Sequence, residues 1–319
     1  MTDLFHYTTA AGLLGILESG TLRATHYRFL NDMSEGKIVE KKICSIFFEE
    51  YCKYLKSEEV QRICDSNKVE FDGSIEEIAE DEARKLFNSL IETTDDLSPF
   101  FIASLCEHFD PREQRDGLLS QWRGYGKRGG CCIVFDGDGL KNLIQTMAVR
   151  EEFGNTIMKK VKYVSSDAEI DAGLFTGVGS DFAEAKLNAM LRGVSQEPKT
   201  SAQSLYNAVL ETIPFYKDDA FKEENEVRIV VSAYAPGVGV QSSSMAKSQP
   251  KPFKFRESGG VLVPFVDLFS SKHCKLPIKE VIIGPGFDSD RRAAGVALLL
   301  KTLQINVPVR ISGIPLTGT

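Results

Sequence analysis

A long stretch of helical periodicity interrupts a chain whose remaining order is largely strand-like, and this contrast limits the fold more than any other feature. Between about residues 36 and 95 the apolar positions recur at helix spacing. Val39, Ile43, Ile46, Phe47, Tyr54 and Leu55 form one amphipathic run. Ser74 and Glu77 stand as a capping box ahead of Ile78, Leu86, Phe87 and Leu90. On both sides the texture changes. Residues 3–8, Thr21–Thr25, Phe100–Leu105, Cys131–Phe135, 156–164, Glu226–Val231, 252–256, 260–266, Val281–Ile283 and Val307–Ile311 read as strands. Helices are expected at 181–193 and 200–212, and from the Gly284-Pro285-Gly286 turn to about Leu303. Ala10, Leu13, Leu14 and Leu17 mark one face of a helix that ends at Gly20. No regular strand–helix–strand rhythm emerges, so the class is α+β. We read residues 1–319 as a single domain with a helical insertion at about 36–95.

Charge and cysteine usage narrow the function. The net charge is −7 with a pI near 5.4, which argues against a broad cationic nucleic-acid surface but leaves room for a local basic patch. The seven cysteines show no C-x-x-C spacing and no secretory signal opens the chain, so reduced thiols and a cytoplasmic location are expected. No apolar run approaches the roughly 18 residues of a membrane span. His6, His26, His108 and His273 lie far apart, and no metal is expected.

Four segments are candidates for chemistry. His6-Tyr7-Thr8 ends a strand, where a histidine can bond a ligand hydroxyl or have its nitrogens met by neighbouring backbone. Ser120-Gln121-Trp122-Arg123-Gly124-Tyr125-Gly126 holds the one tryptophan of the chain. Its aromatics suit stacking on a planar ring and Arg123 suits a pyrophosphate. Equally, Trp122 suits an anchor that ties a turn to the core. In Glu223-Glu224-Asn225-Glu226-Val227-Arg228, alternation places Glu224, Glu226 and Arg228 on one strand face; the alternative is a solvated strand entry. Ile283-Gly284-Pro285-Gly286 precedes a helix and suits either an anion site or an ordinary turn. No Gly-x-Ser-x-Gly elbow occurs. The stretch 236–250, rich in Gly, Ser and Gln, reads as a mobile loop.

Taken in order, these segments resemble a mostly bacterial family of uncharacterised function. The resemblance rests on Leu4-Phe5-His6-Tyr7-Thr8, Asn31-Asp32-Met33-Ser34-Glu35, Leu119-Ser120-Gln121-Trp122-Arg123 with Tyr125-Gly126, Glu224 to Arg228, Val263-Pro264-Phe265 and Ile283-Gly284-Pro285. That family looks like a branch of the ADP-ribosyltransferase superfamily. The resemblance implies a split β-sheet core with NAD as the substrate held in the cleft, and cleavage of the nicotinamide–ribose bond by transfer or hydrolysis, as in a bacterial defence or toxin effector. It implies a catalytic carboxylate at Glu226, with Glu224 the competing choice, and NAD contacts from His6, Tyr7, Thr8, Tyr27, Asn31, Ser104, Trp122, Arg123 and Tyr125. The acceptor is left open among protein, nucleic acid and small molecule. The rival reading is a non-catalytic nucleotide- or nucleic-acid-binding sensor on the same fold.

Overall fold

A computed structural model describes residues 2–30, 35–69, 71–125, 130–149, 153–193, 197–235, 251–269 and 275–315. Asn31, Asp32, Met33 and Ser34, Gly126, the 236–250 stretch and His273 lie outside the described residues. The chain divides into two compact units. One comprises residues 1–30, 100–161 and 222–319, the other residues 31–99 and 162–221. The helical material is therefore wider than the 36–95 stretch, because a second segment, 162–221, joins it.

The described strands are Leu4–Thr8 (β1), Leu22–His26 (β2), Phe100–Glu107 (β3), Cys131–Phe135 (β4), Asn155–Lys160 (β5), Lys162–Val164 (β6), Tyr216–Asp218 (β7), Glu226–Ser232 (β8), Lys254–Ser258 (β9), Val261–Leu268 (β10), Ile278–Ile283 (β11) and Val309–Ile311 (β12). The stretch 156–164, expected as one strand, is two: β5 joins the large sheet and β6 pairs in parallel with β7 in the other unit.

In the first unit ten strands form one mixed sheet. Its path runs β12-β11-β4-β1-β3-β2-β10-β9, with β8 and β5 branching from β3. The branching has a geometric cause. A strand has two hydrogen-bonding edges. β8 occupies one edge of β3 from Phe100 to Cys106. The other edge is shared: β1 pairs at Cys106 and Glu107, β2 at Ile102 and Phe101. Both are antiparallel to β3, so β1 and β2 run in the same direction and part company beside Ala103–Leu105. The sheet is thus split at β3.

Strand alternation then sorts the side chains. One face carries Leu4, Phe101, Ala103, Leu105, Ile133, Val227 and Ile229, all within the main hydrophobic core. Helices Ala10–Ser19, Gly137–Val149 and Ser289–Thr302 contribute Leu13, Ile16, Leu17, Leu140, Ile144 and Leu300 to it. Each such buried side chain stabilises by about 1.5–3 kcal/mol. The helix Ala10–Ser19 starts where Thr9 caps Gly12 N–H at 3.1 Å and ends at Gly20, as expected. Its buried stripe is Leu13, Ile16 and Leu17, whereas Leu14 is exposed. The helix Gly137–Val149 was not among the expected helices, although Leu140, Leu143, Ile144 and Met147 fall at helix spacing. The opposite face of the sheet carries Phe5, Tyr7, Cys106, Cys132 and Val134 in a smaller cluster with Trp122.

The second unit packs helices Glu35–Leu55, Glu58–Asn67, Ile75–Leu97, Val178–Arg192 and Ala202–Thr212. The Ser74–Glu77 capping box is formed in both directions. Glu50 accepts from Gly177 N–H at 2.6 Å and Gly179 N–H at 2.8 Å, satisfying donors at the start of Val178–Arg192. Among the described residues no helix is long and apolar enough to cross a membrane.

Candidate functional site

The split leaves backbone edge groups of β3 in need of partners. His6 supplies one. Its ring Nδ1 lies 3.0 Å from the Ser104 carbonyl, so Nδ1 carries the donated proton and Nε2 is left as an acceptor. Burial lowers the His6 pKa, opposed by this bond, which favours the neutral ring that keeps Nε2 an acceptor. Of the alternatives the sequence left open, the backbone-satisfied histidine describes one ring nitrogen. The Ser104 side chain is half-buried and points to the opposite face, directly across from Arg228 on β8.

Tyr7 and Trp122 are committed to packing. The Tyr7 hydroxyl accepts from Leu118 N–H at 2.8 Å and lies 2.7 Å from His108 Nε2. Trp122 meets Tyr7 edge-on, with ring centroids 4.8 Å apart, and donates Nε1–H to the Asp116 carbonyl at 3.0 Å. Trp122 is buried. The glycine of the Ile-Gly-Pro turn explains itself here. A β-carbon on Gly284 would stand 2.8 Å from the Trp122 ring and 2.9 Å from the Gly130 carbonyl. The turn is therefore a close approach to Trp122, and the following helix begins only at Ser289, with no side-chain cap from Asp288. Arg123 and Tyr125 sit exposed in the last turn of the helix Leu119–Tyr125. Thr8 is half-buried, its hydroxyl turned over Gly12.

Tyr27 follows β2 in a single helical turn. It stacks on Phe100 at 4.0 Å and on His26 at 5.0 Å between centroids. Arg28 Nε–H donates to the Tyr27 hydroxyl at 3.1 Å. Tyr27 is thus packed against two rings of the protein and is half-buried.

The glutamate segment departs from simple alternation. β8 begins at Glu226, and Asn225 has a left-handed backbone with φ 42°. Glu224 therefore lies outside the strand, at the end of the turn Asp219–Glu224, and does not continue the Glu226–Arg228 face by strand periodicity. Asparagine tolerates this conformation better than most residues. Glu226 and Arg228 do share a face. Arg228 Nε–H and Nη2–H donate to the two Glu226 carboxylate oxygens at 2.8 and 2.9 Å, and both side chains are almost wholly buried. By register Glu226 lies across from Cys106, on the face opposite the one His6 occupies. The structure brings together Ser104, Arg228 and Glu226. It does not bring His6 and Glu226 to one face.

His108 entered the sequence reading only as one of four widely spaced histidines. Its bond to Tyr7 spans 101 residues, so no local pattern could reveal it. Burial pulls its pKa down to about 4. Alternation placed Arg228 beside Glu226 on one strand face, but its two-pronged grip follows from the burial of both side chains.

With this geometry in hand, the chain is similar over residues 121–229 to a family described as a protein of unknown function, DUF2971. The matched stretch contains Gln121-Trp122-Arg123 and Glu224–Arg228, two of the motif segments. No curated protein and no solved structure matches the chain.

Proposed function

We propose that the chain binds NAD where β1 and β2 part on β3, and cleaves the nicotinamide–ribose bond as an ADP-ribosyltransferase or NAD glycohydrolase with a split-sheet core. The observation that carries this reading is the split itself. Two strands running in one direction share one edge of β3 and diverge beside Ser104, with His6 at the fork. Where the two strands diverge, backbone groups of β3 are left for other partners, and a ligand can be one of them. The Ser104 hydroxyl, on the Glu226–Arg228 face, can bond a ribose hydroxyl, while His6 holds the Ser104 carbonyl from the other face.

Breaking the nicotinamide–ribose bond builds positive charge on the ribose, as in glycoside cleavage. Glu226 is the carboxylate of this reading. A carboxylate offers about four acceptor positions. Arg228 takes two and fixes the orientation of the charge. Such a fixed charge contributes about 3–4 kcal/mol to the transition state. The acceptor of ADP-ribose is a protein side chain, a nucleic acid, a small molecule or water.

The test is direct. Purified protein is incubated with labelled NAD and cell lysate, free nicotinamide is measured, and NAD binding is followed by calorimetry. Nicotinamide release with saturable binding is expected. Absence of both overturns the reading. A specific observation favours a second one: both Glu226 oxygens are engaged in a buried pair. A nucleotide-binding module without chemistry would bind NAD and release no nicotinamide.

A further inference from the structure

A second set of polar groups converges away from the Glu226–Arg228 pair. Arg23 on β2 lies with its guanidinium carbon 4.8 Å from the Phe265 ring centre. Arg256 on β9 reaches across β10, and its Nη2–H donates to the Thr25 hydroxyl at 3.4 Å. Thr25 and Phe265 are directly paired in the sheet, where paired residues stand about 4.5–5.5 Å apart at Cα. The two guanidiniums therefore meet over one residue pair. Both arginines are exposed.

Like charges held together need a reason. The contacts that place these two are an aromatic face and a hydroxyl, neither of which neutralises charge. The carboxylate nearest in the sheet is Asp267, register partner of Arg23. It is engaged by Lys254 at 2.5 Å and by the Thr21 hydroxyl at 3.3 Å. Among the described residues neither arginine has a carboxylate partner within salt-bridge distance. Arg23 also lowers the Arg256 pKa, second to burial.

The sequence around this pair is independently basic. Residues 236–279 contain Lys247, Lys251, Lys254, Arg256, Lys272, Lys275 and Lys279 against Glu257 and Asp267. That is seven cations and two anions, or +5, in a chain of net charge −7. Arg256 thus belongs to a cationic stretch of an acidic chain, in which Lys254 and Lys279 are paired with Asp267 and Asp3.

We propose that the open face of β2, β10 and β9 binds the phosphodiester backbone of a nucleic acid, with Arg23 and Arg256 clamping one phosphate and Thr25 donating beside them. Planar guanidiniums suit phosphate oxygens in bidentate geometry. Phe265 lies buried beneath Arg23, so this face reads phosphate and offers no base-stacking platform. The inference is independent of any NAD chemistry.

The test uses the full chain and a fluorescein-labelled 20-nucleotide single-stranded DNA, followed by anisotropy from low to physiological salt. Salt-dependent binding is expected. The Arg23→Gln/Arg256→Gln double variant should weaken it at least tenfold and reduce the log–log salt slope by about 1. Lys85→Gln, on the other unit's surface, should leave it unchanged, and circular dichroism should show both variants folded. Lack of binding at low salt overturns the proposal, as does equal binding by the double variant. Displacement of the probe by micromolar NAD, with both arginines needed for NAD binding, would reassign the pair to a dinucleotide site and also overturn it.

Discussion

Replacing Glu226 by glutamine tests whether this carboxylate is held chiefly by the fold. Glu226 and Arg228 lie on β8, which is paired on both edges, and their side chains are 5 % and 3 % exposed. Glutamine keeps the shape and one acceptor but removes the charge facing the guanidinium. An uncompensated charge left by breaking a buried pair costs about 3–5 kcal/mol. One retained acceptor places the expected loss near the lower end, about 3 kcal/mol. That is a large share of the 5–15 kcal/mol that holds a typical domain folded. Urea unfolding followed by Trp122 fluorescence reads it directly, because the one tryptophan is buried in the same unit. Glu226→Gln combined with Arg228→Met removes both charges and should recover more than half of the loss, since paired deletion avoids the orphaned ion. A single variant within about 0.5 kcal/mol of the parent would refute the reasoning. The experiment also guards the functional assay. If Glu226→Gln loses nicotinamide release by two to four decades while fully folded, Glu226 serves the reaction. If it loses activity only in proportion to the folded fraction, it serves the fold.

Three other outcomes follow from particular contacts. Burial lowers His108 and His26 to about 4, from an ordinary value of 6.5; the unfolded chain therefore takes up protons first as pH falls, and stability present above pH 6.5 should drop by up to about 3 kcal/mol for each between pH 6.5 and 4. His108→Gln should flatten that slope in urea titrations across pH, and an unchanged slope would remove His108 from the account. Gly284→Ala should destabilise the first unit by about 1–3 kcal/mol and shift Trp122 emission, because the new methyl meets the ring and a backbone carbonyl together; an unshifted, equally stable variant would contradict the contact. Ser74→Ala should lower stability by about 1 kcal/mol through loss of the cap on Ile75–Leu97, measured by thermal unfolding.

Which parts of this architecture could be read in the sequence follows from how local their causes are. The Ser74–Glu77 box, the Gly20 cap and the strands at Leu4–Thr8 and Cys131–Phe135 are set by neighbours within a few residues. Alternation also gave the Glu226–Arg228 face correctly. It failed one step earlier, because the left-handed backbone at Asn225 ends the period before Glu224. The helix Gly137–Val149 was missed where its opening Gly-Asp-Gly resembles a turn. The split sheet had no local signal at all. It depends on which edge of β3 is already taken by β8, a strand 120 residues further on.

The motif segments prove less independent than they look along the chain. Tyr7, Trp122 and Gly284 come from three of them, and they meet in one packed knot: the phenol against the indole at 4.8 Å, the indole against a position where only glycine fits. Changing any one of the three would force the others to adjust. Their joint presence is therefore what a packing constraint on β1, the helix Leu119–Tyr125 and the turn after β11 would produce, whatever the protein does. They cannot be counted as three votes for a ligand site. The weight for function passes to the polar groups outside the knot. His6 and Ser104 stand at the fork of the sheet, Glu226 and Arg228 are locked together on the face away from His6, and Arg23 and Arg256 converge over Thr25 with no carboxylate partner among the described residues. Of these, the last pair is the one whose charges the fold has least reason to keep, since two converging cations repel each other.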